Sequence, residues 1–403
     1  MAGHRMQNHL LLLSSYVFYS AWDWRFLGLL WLSTIVDFVC GSKIYSSSKY
    51  KKSYLYISII TNIGILSLFK YFDFFSENIK ELLYTFGINT QTPTLDVLLP
   101  IGISFYTFQT LSYTVDIYRG KIKPVSKISD FALYVAFFPQ LVAGPIERAS
   151  RLLPQLINKR VIKLDHLRCG LWLILLGYFQ KVVVADNLAP IVDEIYDPGT
   201  QASGSVILLA VYLCAIQIYC DFGGYSNIAK GISSLMGIHL MQNFKNPYFS
   251  TNPSEFWSRW HISLSSWLKD YLYIPLGGNR HGKIKTYRNL LITMLLGGVW
   301  HGANWTFVLW GLLHGIILIA YKMLGITTAK YKTIKEKTSL KSLVSIVVMF
   351  HLICLAWLLF RSESLQHAIN LTHQLFFDFE VVSGIGLGQA FVAFKYIWFI
   401  VLL

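Results

Sequence analysis

The stretch NLLITMLLGGVWHGANWTFVLWGLLHGIILIAY, residues 289–321, is almost continuously apolar and is broken only near His301, Gly302 and Asn304. One membrane crossing needs about 20 apolar residues, so these 33 residues are too many for a single crossing. Basic residues flank both ends of the stretch, and basic loops collect on one side of a membrane. We therefore predict a hairpin whose turn, at or near residues 300–304, lies deep in or across the membrane.

The composition of the whole chain agrees with a membrane protein. Of its 403 residues, 54% are hydrophobic and 14% are charged, and the mean hydropathy is +0.47. A soluble domain carries about 25% charged residues. These values exclude a disordered chain, collagen, a coiled coil and a cytosolic enzyme. The net charge of +14 comes from short basic clusters between apolar runs, which is typical of membrane orientation and not of a nucleic-acid-binding module.

Further apolar segments lie on both sides of the predicted hairpin. They are His9–Trp22, Phe26–Tyr45, Tyr54–Phe75, Asp96–Tyr118, Phe131–Pro145, His166–Asp186, Val206–Cys220, Leu343–Phe360 and Phe391–Leu403. The segment at 131–145 is short and has basic loops on both sides, so we predict that it is re-entrant. Together the segments predict an all-α polytopic protein with about eight to eleven membrane segments and cytoplasmic basic loops.

The sequence contains no motif for a resident metal or cofactor. The five cysteines are scattered and are best explained as small buried hydrophobic residues. No pair of histidines has zinc spacing, and the phosphate-loop, dinucleotide-binding and nucleophile-elbow motifs do not occur in the sequence. Hydrolase, ATPase and dehydrogenase functions are therefore not indicated.

His301 is the principal candidate for chemistry. The glycines on both sides of it allow close backbone approach or a helix break, and leave room beside the ring for a substrate. An imidazole has an unperturbed pKa of about 6.5, which suits a general base. The alternative is a histidine that hydrogen-bonds between helices, and we assign that packing role to His314 and His351.

Three other regions combine polar residues with apolar context. In residues 253–271, tryptophans at 257, 260 and 267 recur at helical spacing, which predicts one amphipathic helix at the cytoplasmic interface or dipping inward, with an interfacial anchor as the simpler alternative. The motif at Asp221–Asn227 is either a polar pocket wall or a helix stop. Glu147 closes the re-entrant segment, where pairing with a neighbouring arginine competes with a chemical role.

Five ordered runs carry a resemblance to a known family: Pro100–Gln109, Gly144–Arg148, Asp221–Ser226, Phe256–Ser265 and Trp300–Gly302. On these runs the chain resembles the membrane-bound O-acyltransferases, most closely their bacterial alginate O-acetyltransferase-like branch, with the D-alanine transfer protein of teichoic acid more distant. Ser258 stands where the family pattern has a second basic residue, and we expect that the first hydrophobic helix of the family is missing.

The resemblance implies a ring of helices around a funnel or tunnel. It implies one integral-membrane domain over residues 1–403, with a family core at about 96–323. His301 matches the family's invariant histidine and is expected to act as general base, while His261 matches its second histidine and is expected to orient the donor or stabilise charge. Residues expected to bind substrate or to support the site are Arg259, Asp270, Asn304, Trp300, Glu147, Arg148 and Asp221.

The resemblance further implies transfer of an acyl group, most simply acetyl, from a cytosolic thioester to an extracytoplasmic polysaccharide. The donor is expected to be acetyl-CoA or an acyl carrier protein, with no tightly bound cofactor. Membrane lipid and a separate extracytoplasmic hydroxyl-nucleophile acetyltransferase are expected partners, and the bacterial cytoplasmic membrane is the expected location. The resemblance does not specify the acceptor polymer, which is alginate, cellulose, peptidoglycan, teichoic acid or another glycan. The alternatives are a polytopic transporter or flippase and a structural export subunit.

Overall fold

The computed structural model describes residues 3–91, 93–95, 98–326 and 339–380, and within these ranges the chain is helical without a strand. The helices in chain order are α1 His4–Asp23, α2 Leu27–Ser46, α3 Lys51–Lys70, α4 Phe72–Thr85, α5 Ile103–Tyr118, α6 Ile128–Ala136, α7 Phe138–Leu141, α8 Ala149–Ile157, α9 Leu164–Tyr178, α10 Asp186–Ile195, α11 Gly204–Leu235, α12 Pro253–Trp257, α13 Ile262–Leu268, α14 Gly282–His301, α15 Trp305–Met323, α16 Leu340–Arg361 and α17 Leu365–Phe377. The predicted all-α class is confirmed. The predicted apolar segment Phe391–Leu403 lies outside the described residues.

Six stretches of the described chain are long and apolar enough to cross a membrane: His4–Ser46, Lys51–Lys70, Leu164–Ile195, Gly204–Leu235, Trp305–Met323 and Leu340–Arg361. The short helices α5 to α7 and the first arm of the hairpin, α14, do not meet this criterion, so the range of eight to eleven segments stays a prediction. Helices α6 and α7 have nine and four residues. Neither is long enough to cross a bilayer, in agreement with a re-entrant segment.

Several predicted segment bounds were wrong. The segment Tyr54–Phe75 is divided between α3 and α4, and the segment predicted to end at Asp186 continues to Ile195. Helix α5 begins only at Ile103, after the proline and glycine at positions 100 and 102. Helix α11 does not end at Cys220 but continues to Leu235, so the motif after Asp221 is not a helix stop. The helix continues there because Gly224 is used for packing: a Cβ atom on it would lie 2.7 Å from the carbonyl oxygen of Gly177.

The described residues form two compact units. The first comprises the residues up to Ile174 together with Ala229–Met241. In it, α2, α3 and α5 pack around a polar cluster at Asp37, whose side chain is completely buried. The carboxylate accepts hydrogen bonds from Ser58 Oγ at 2.5 Å and from Asn62 Nδ2 at 2.8 Å. These bonds satisfy polar groups that would be expensive to bury unpaired.

The second unit comprises Leu175–Ile228 and the residues from Gln242 onward. Its apolar core draws on α10, α11, α12, α15, α16 and α17. Tryptophans dominate the centre, where Trp310 and Trp357 are each about 1% exposed and lie with ring centroids 6.0 Å apart. This aromatic core surrounds the residues that the sequence singled out for chemistry.

Candidate active site

Helices α14 and α15 form the predicted hairpin, with residues 302–304 as its turn. The two helices approach closely because glycines face each other across the pair. A Cβ atom on Gly298 would lie 2.2 Å from the carbonyl oxygen of Phe307, and one on Gly311 would lie 2.4 Å from that of Met294. Since α14 has 20 residues, its two ends are about 30 Å apart. The turn therefore lies a full helix length away from the start of α14, where Arg280, Lys283 and Lys285 are found.

Asn304 fixes the turn through both ends of its amide. Its Oδ1 accepts a hydrogen bond from the backbone N–H of Thr306 at 3.0 Å and caps α15. Its Nδ2 donates to the carbonyl oxygen of Glu363 at 2.8 Å, in the loop between α16 and α17. The turn is thus attached to a second loop of the same unit.

His301 is the last residue of α14, and its half-buried imidazole is surrounded by aromatic rings. The ring centroids of Trp300 and Trp310 each lie 5.0 Å from that of His301, and Phe360 lies at 5.3 Å. All three contacts are edge-on, which is the preferred arrangement of such rings. The packing holds the imidazole in one orientation beside the turn.

His261 lies in the same unit, in an unusual backbone conformation. Its φ of 41° is in the left-handed region, which a residue with a Cβ atom adopts rarely, and its side chain is 2% exposed. Asn243 stabilises the conformation, because its carbonyl oxygen accepts from Ile262 N at 2.9 Å and its Oδ1 accepts from Ser263 N at 3.2 Å. The ring of Phe222 packs edge-on against the imidazole at 4.6 Å.

The two histidines are brought together through Trp300. Its ring centroid lies 6.0 Å from that of His261 and 5.0 Å from that of His301, and it is buried. Burial, and to a smaller extent the nearby His301, lower the pKa of His261 well below its usual range. A lowered pKa favours the neutral imidazole, which can orient a substrate by hydrogen bonding.

The single amphipathic helix predicted over residues 253–271 was wrong. The chain forms α12, then a break that ends at His261, then α13, and then a π-helical turn from Lys269 to Tyr273 that contains the partly exposed Asp270. The break is stabilised by Arg259, which is buried and forms an ion pair with Glu255 at 2.8 Å. Trp260 is only 4% exposed and packs in the core, so this tryptophan does not belong to an interfacial belt.

The remaining predicted residues occupy separate places. Asp221 is exposed on α11 and pairs with Lys181 at 2.6 Å. Glu147 and Arg148 belong to the first unit, where Glu147 is completely buried, accepts a hydrogen bond from Met241 N and lies 3.7 Å from Arg151. Burial raises the pKa of the Glu147 carboxyl to about 7, against the lowering effects of Met241 N–H, Arg151 and Arg148.

The two histidines assigned to packing differ. His351 behaves as predicted, because its Nε2 pairs with the hydroxyl of Tyr212 on α11 at 2.8 Å. His314 does not: it is completely buried, and neither ring nitrogen has a hydrogen-bond partner among the described residues. Its ring lies edge-on to Trp310 at 4.6 Å and to Trp257 at 4.9 Å. It is therefore held by aromatic packing.

A cavity of about 640 Å³ lies beside the hairpin. Apolar residues, several hydroxyl groups and two lysines line it: Ser254, Trp257, Ser258, Ile262, Ser265, Ser266, Leu268, Lys269, Tyr273, Asn279, Leu290, Thr293, Met294, Leu318 and Lys322. Lys322 and Asn279 lie at the end of the hairpin opposite the turn. The cavity is large enough for part of an elongated ligand, and its cations suit an anionic group.

Sequence reasoning missed Asn243, Trp310 and Phe360 as parts of this site. Asn243 lies in an irregular loop, and nothing in its neighbours indicates that it fixes His261. Trp310 and Phe360 were indistinguishable from other aromatic residues of apolar helices. Within the described ranges, no group of three or more His, Cys, Asp or Glu side chains is arranged to hold a metal ion.

Comparisons with known proteins agree with this architecture. The model of the MBOAT, membrane-bound O-acyltransferase family, matches residues 16–362. The probable alginate O-acetylase AlgI of Pseudomonas syringae is 41% identical over 93% of this chain and 71% of its own length. The peptidoglycan O-acetyltransferase of Helicobacter pylori is 36% identical over 90% of this chain and 72% of its own length. The teichoic acid D-alanyltransferase of Bacillus subtilis is 28% identical over 68% of this chain and 72% of its own length.

The family match covers most of the chain, and it includes both histidines and the hairpin. The apolar helices and the match agree on a multi-pass protein. The relatives named above are all acyltransferases. The chain therefore belongs to the membrane-bound O-acyltransferase family and is an integral membrane acyltransferase.

Proposed function

We propose that this protein transfers an acetyl group from a cytosolic thioester to a hydroxyl group, in the O-acetylation of an extracytoplasmic polysaccharide. His301 acts as general base. It removes the hydroxyl proton while the hydroxyl oxygen attacks the thioester carbonyl, and the thiol leaves with the proton that the imidazole returns. The observation that carries the proposal is the half-buried His301 at the end of α14, held among three aromatic rings beside a turn fixed by Asn304.

The position of the cavity supports a donor that arrives from the basic side. Lys322 lies about 26 Å along α15 from the turn at 1.5 Å per residue, at the end of the hairpin where α14 begins with Lys283 and Lys285. Lys269 and Lys322 can bind the phosphate of a pantetheine thioester, because both line the cavity. We infer that these residues face the cytoplasm, as the positive-inside rule predicts, in a bacterial inner membrane.

The remaining roles follow from the surroundings of each residue. His261, being neutral, orients the donor or the acceptor by hydrogen bonding. Trp300 contacts both imidazoles and holds them in place. Arg259 supports the break before His261 through Glu255. A separate extracytoplasmic hydroxyl-nucleophile acetyltransferase is proposed as the partner that acts with this chain on the polymer, and an acyl carrier protein or acetyl-CoA as the donor.

The test uses the purified chain together with the partner acetyltransferase, in lipid vesicles with a thioester that carries a labelled acetyl group. We expect label on an added oligosaccharide, and we expect Lys322→Gln and Lys269→Gln to raise the KM for the donor at least several-fold while kcat changes little. Lys285→Gln is the matched control, since Lys285 is a lysine of α14 that does not line the cavity. Label that remains on the thioester would overturn the proposal, and transport of an intact substrate without transfer would support a transporter instead.

A further inference from the structure

Two long apolar helical stretches carry charged residues at their centres. Lys181 is 17 residues into the stretch Leu164–Ile195, and Asp221 is 17 residues into the stretch Gly204–Leu235. Each stretch has 32 residues and is therefore about 48 Å long, whereas the hydrocarbon core is about 30 Å thick. If such a helix crosses the membrane, any 30 Å section of it includes the part from about 18 to 30 Å along the helix axis, measured from its first residue. Tilting the helix lengthens the section that lies within the core, so the same part stays included. Both residues, about 26 Å from the first residue of their stretch, lie at the depth of the core.

Local structure brings these residues together. Gly177 and Gly224 let the two helices approach closely, because a Cβ atom on Gly177 would lie 2.5 Å from the carbonyl oxygen of Gly224. A π-helical turn, Phe179–Ala185, follows directly, and such turns are frequent at functional sites. In this turn Lys181 Nζ lies 2.6 Å from Asp221 Oδ1 and 2.7 Å from Asp186 Oδ1. Beside them Asn227 Nδ2 donates to Gln180 Oε1 at 2.8 Å. These five residues are the Lys181 cluster.

The cluster is exposed. The side chains of Lys181, Asp186 and Asp221 are 41%, 47% and 51% accessible. Charged groups within the hydrocarbon core are costly against lipid tails and almost always face water or polar groups, so we expect the face that exposes these three to border water or a polar ligand. The next residue after Asp221, Phe222, contacts the ring of His261 at 4.6 Å. Asp221 is therefore next in sequence to a residue that contacts the candidate active site.

The hydrogen-bonding capacity of the cluster indicates a ligand rich in hydroxyl groups. Each aspartate uses its Oδ1 for Lys181, and within the described chain its Oδ2 accepts no hydrogen bond. Asn227 Oδ1 and Gln180 Nε2 likewise remain available beyond their mutual bond, as far as the described residues are concerned. Acceptors and donors side by side match hydroxyl groups, which both donate and accept. One lysine against two aspartates leaves a net charge of −1, which repels a polyanion.

We propose that the Lys181 cluster faces a water-filled recess within the membrane and binds the hydroxyl groups of an uncharged glycan. The inference rests on the proposed function in that this glycan is the strand on which the enzyme and its partner act. It narrows the acceptor class to a neutral polysaccharide and makes a polyuronate the poorer ligand.

The test measures accessibility and binding without turnover. The background variant is Cys169→Ser, which removes the exposed cysteine of the described chain. In this background Val182→Cys places a thiol one turn before Asp186 and leaves the Lys181 cluster intact. A cationic methanethiosulfonate should modify this thiol about tenfold faster than that of the control Leu175→Cys, because thiolates form in water and not in lipid. Leu175 is apolar, is 64% exposed and lies on the same helix.

Cellohexaose should then slow the modification of the Val182→Cys protein several-fold, a mannuronate hexamer should not, and Asp221→Asn should remove the protection. Modification as slow as in the control would overturn the recess, and lack of protection by cellohexaose, or equal protection by both sugars, would overturn the uncharged-glycan assignment. Modification in the purified protein but not in intact cells lacking the glycan would assign the face to a protein partner instead. If the wild-type protein does not transfer acetyl, the proposed function is overturned, but the accessibility and protection measurements still test the Lys181 cluster.

Discussion

Substitutions of Asn304 can distinguish the effect of the hairpin turn on stability from its effect on catalysis. Its amide makes two bonds, a cap on α15 and a tether to Glu363, and it lies three residues after His301. Asn304→Ser keeps a good capping residue and removes the tether, whereas Asn304→Ala removes both. A lost cap costs about 1 kcal/mol and a lost hydrogen bond about 0.5–1.5 kcal/mol. We therefore expect losses of unfolding free energy of about 1 kcal/mol for the serine variant and about 2 kcal/mol for the alanine variant.

The same variants test whether the tether positions the base. A displacement of about 1 Å can reduce a rate about 100-fold, so both variants should lose kcat substantially while the KM for the donor stays near the wild-type value. Unfolding is followed by denaturant titration in mixed micelles, and acetyl transfer is followed with a labelled thioester in vesicles. Thr306→Ser is the matched control, because it keeps the backbone N–H that Asn304 caps. A serine variant with wild-type stability and kcat would refute the idea that the tether fixes the turn.

Three further predictions concern buried residues. Glu147→Gln should remove a pH dependence of stability: since burial raises the pKa of Glu147 from 4.5 to about 7, the folded protein holds a proton that the unfolded chain releases, and stability falls as the pH rises through this window. Melting curves of the two proteins at several pH values check this, and parallel pH profiles would contradict it. Trp310→Ala should cost about 3–5 kcal/mol and reduce acetyl transfer, because it removes a fully buried ring that packs on His301; unchanged unfolding by denaturant would count against this. Asp37→Ala should destabilise the protein by about 1–3 kcal/mol, because it leaves Ser58 and Asn62 without their hydrogen-bond acceptor. An unchanged melting temperature would contradict this.

The sequence pattern was sufficient to predict the hairpin, but it was not sufficient to predict the helix break within residues 253–271. The hairpin was predictable because its length, its flanking charges and its interruption at His301 are all local features. The region before and after His261 has helical spacing of its tryptophans, yet the helix breaks there. Bonds from Asn243 and the buried Arg259–Glu255 pair stabilise the left-handed residue, and these partners are not visible in the spacing.

Glycine has different structural roles in two of the motifs, and only the packing of the helices distinguishes these roles. Gly302 marks the end of a helix, as predicted. Gly224 lies inside α11, where it packs against Gly177, so the helix stop, one of the two alternatives for the motif at Asp221, does not apply. The aromatic residues around His301 could not be predicted either, since Trp310 and Phe360 come from separate helices.

The general-base role of His301 is tested most directly by the rate of acetyl transfer in a protein that lacks the imidazole but remains folded. General-base assistance contributes about 10²–10⁴-fold, so kcat of His301→Ala should fall by that factor, with a melting temperature close to that of the wild type. His314→Ala is the histidine control for a purely packing role: it should lose stability, and acetyl transfer per folded molecule should fall far less. A His301→Ala protein that transfers acetyl within a few-fold of the wild-type rate would contradict the mechanism.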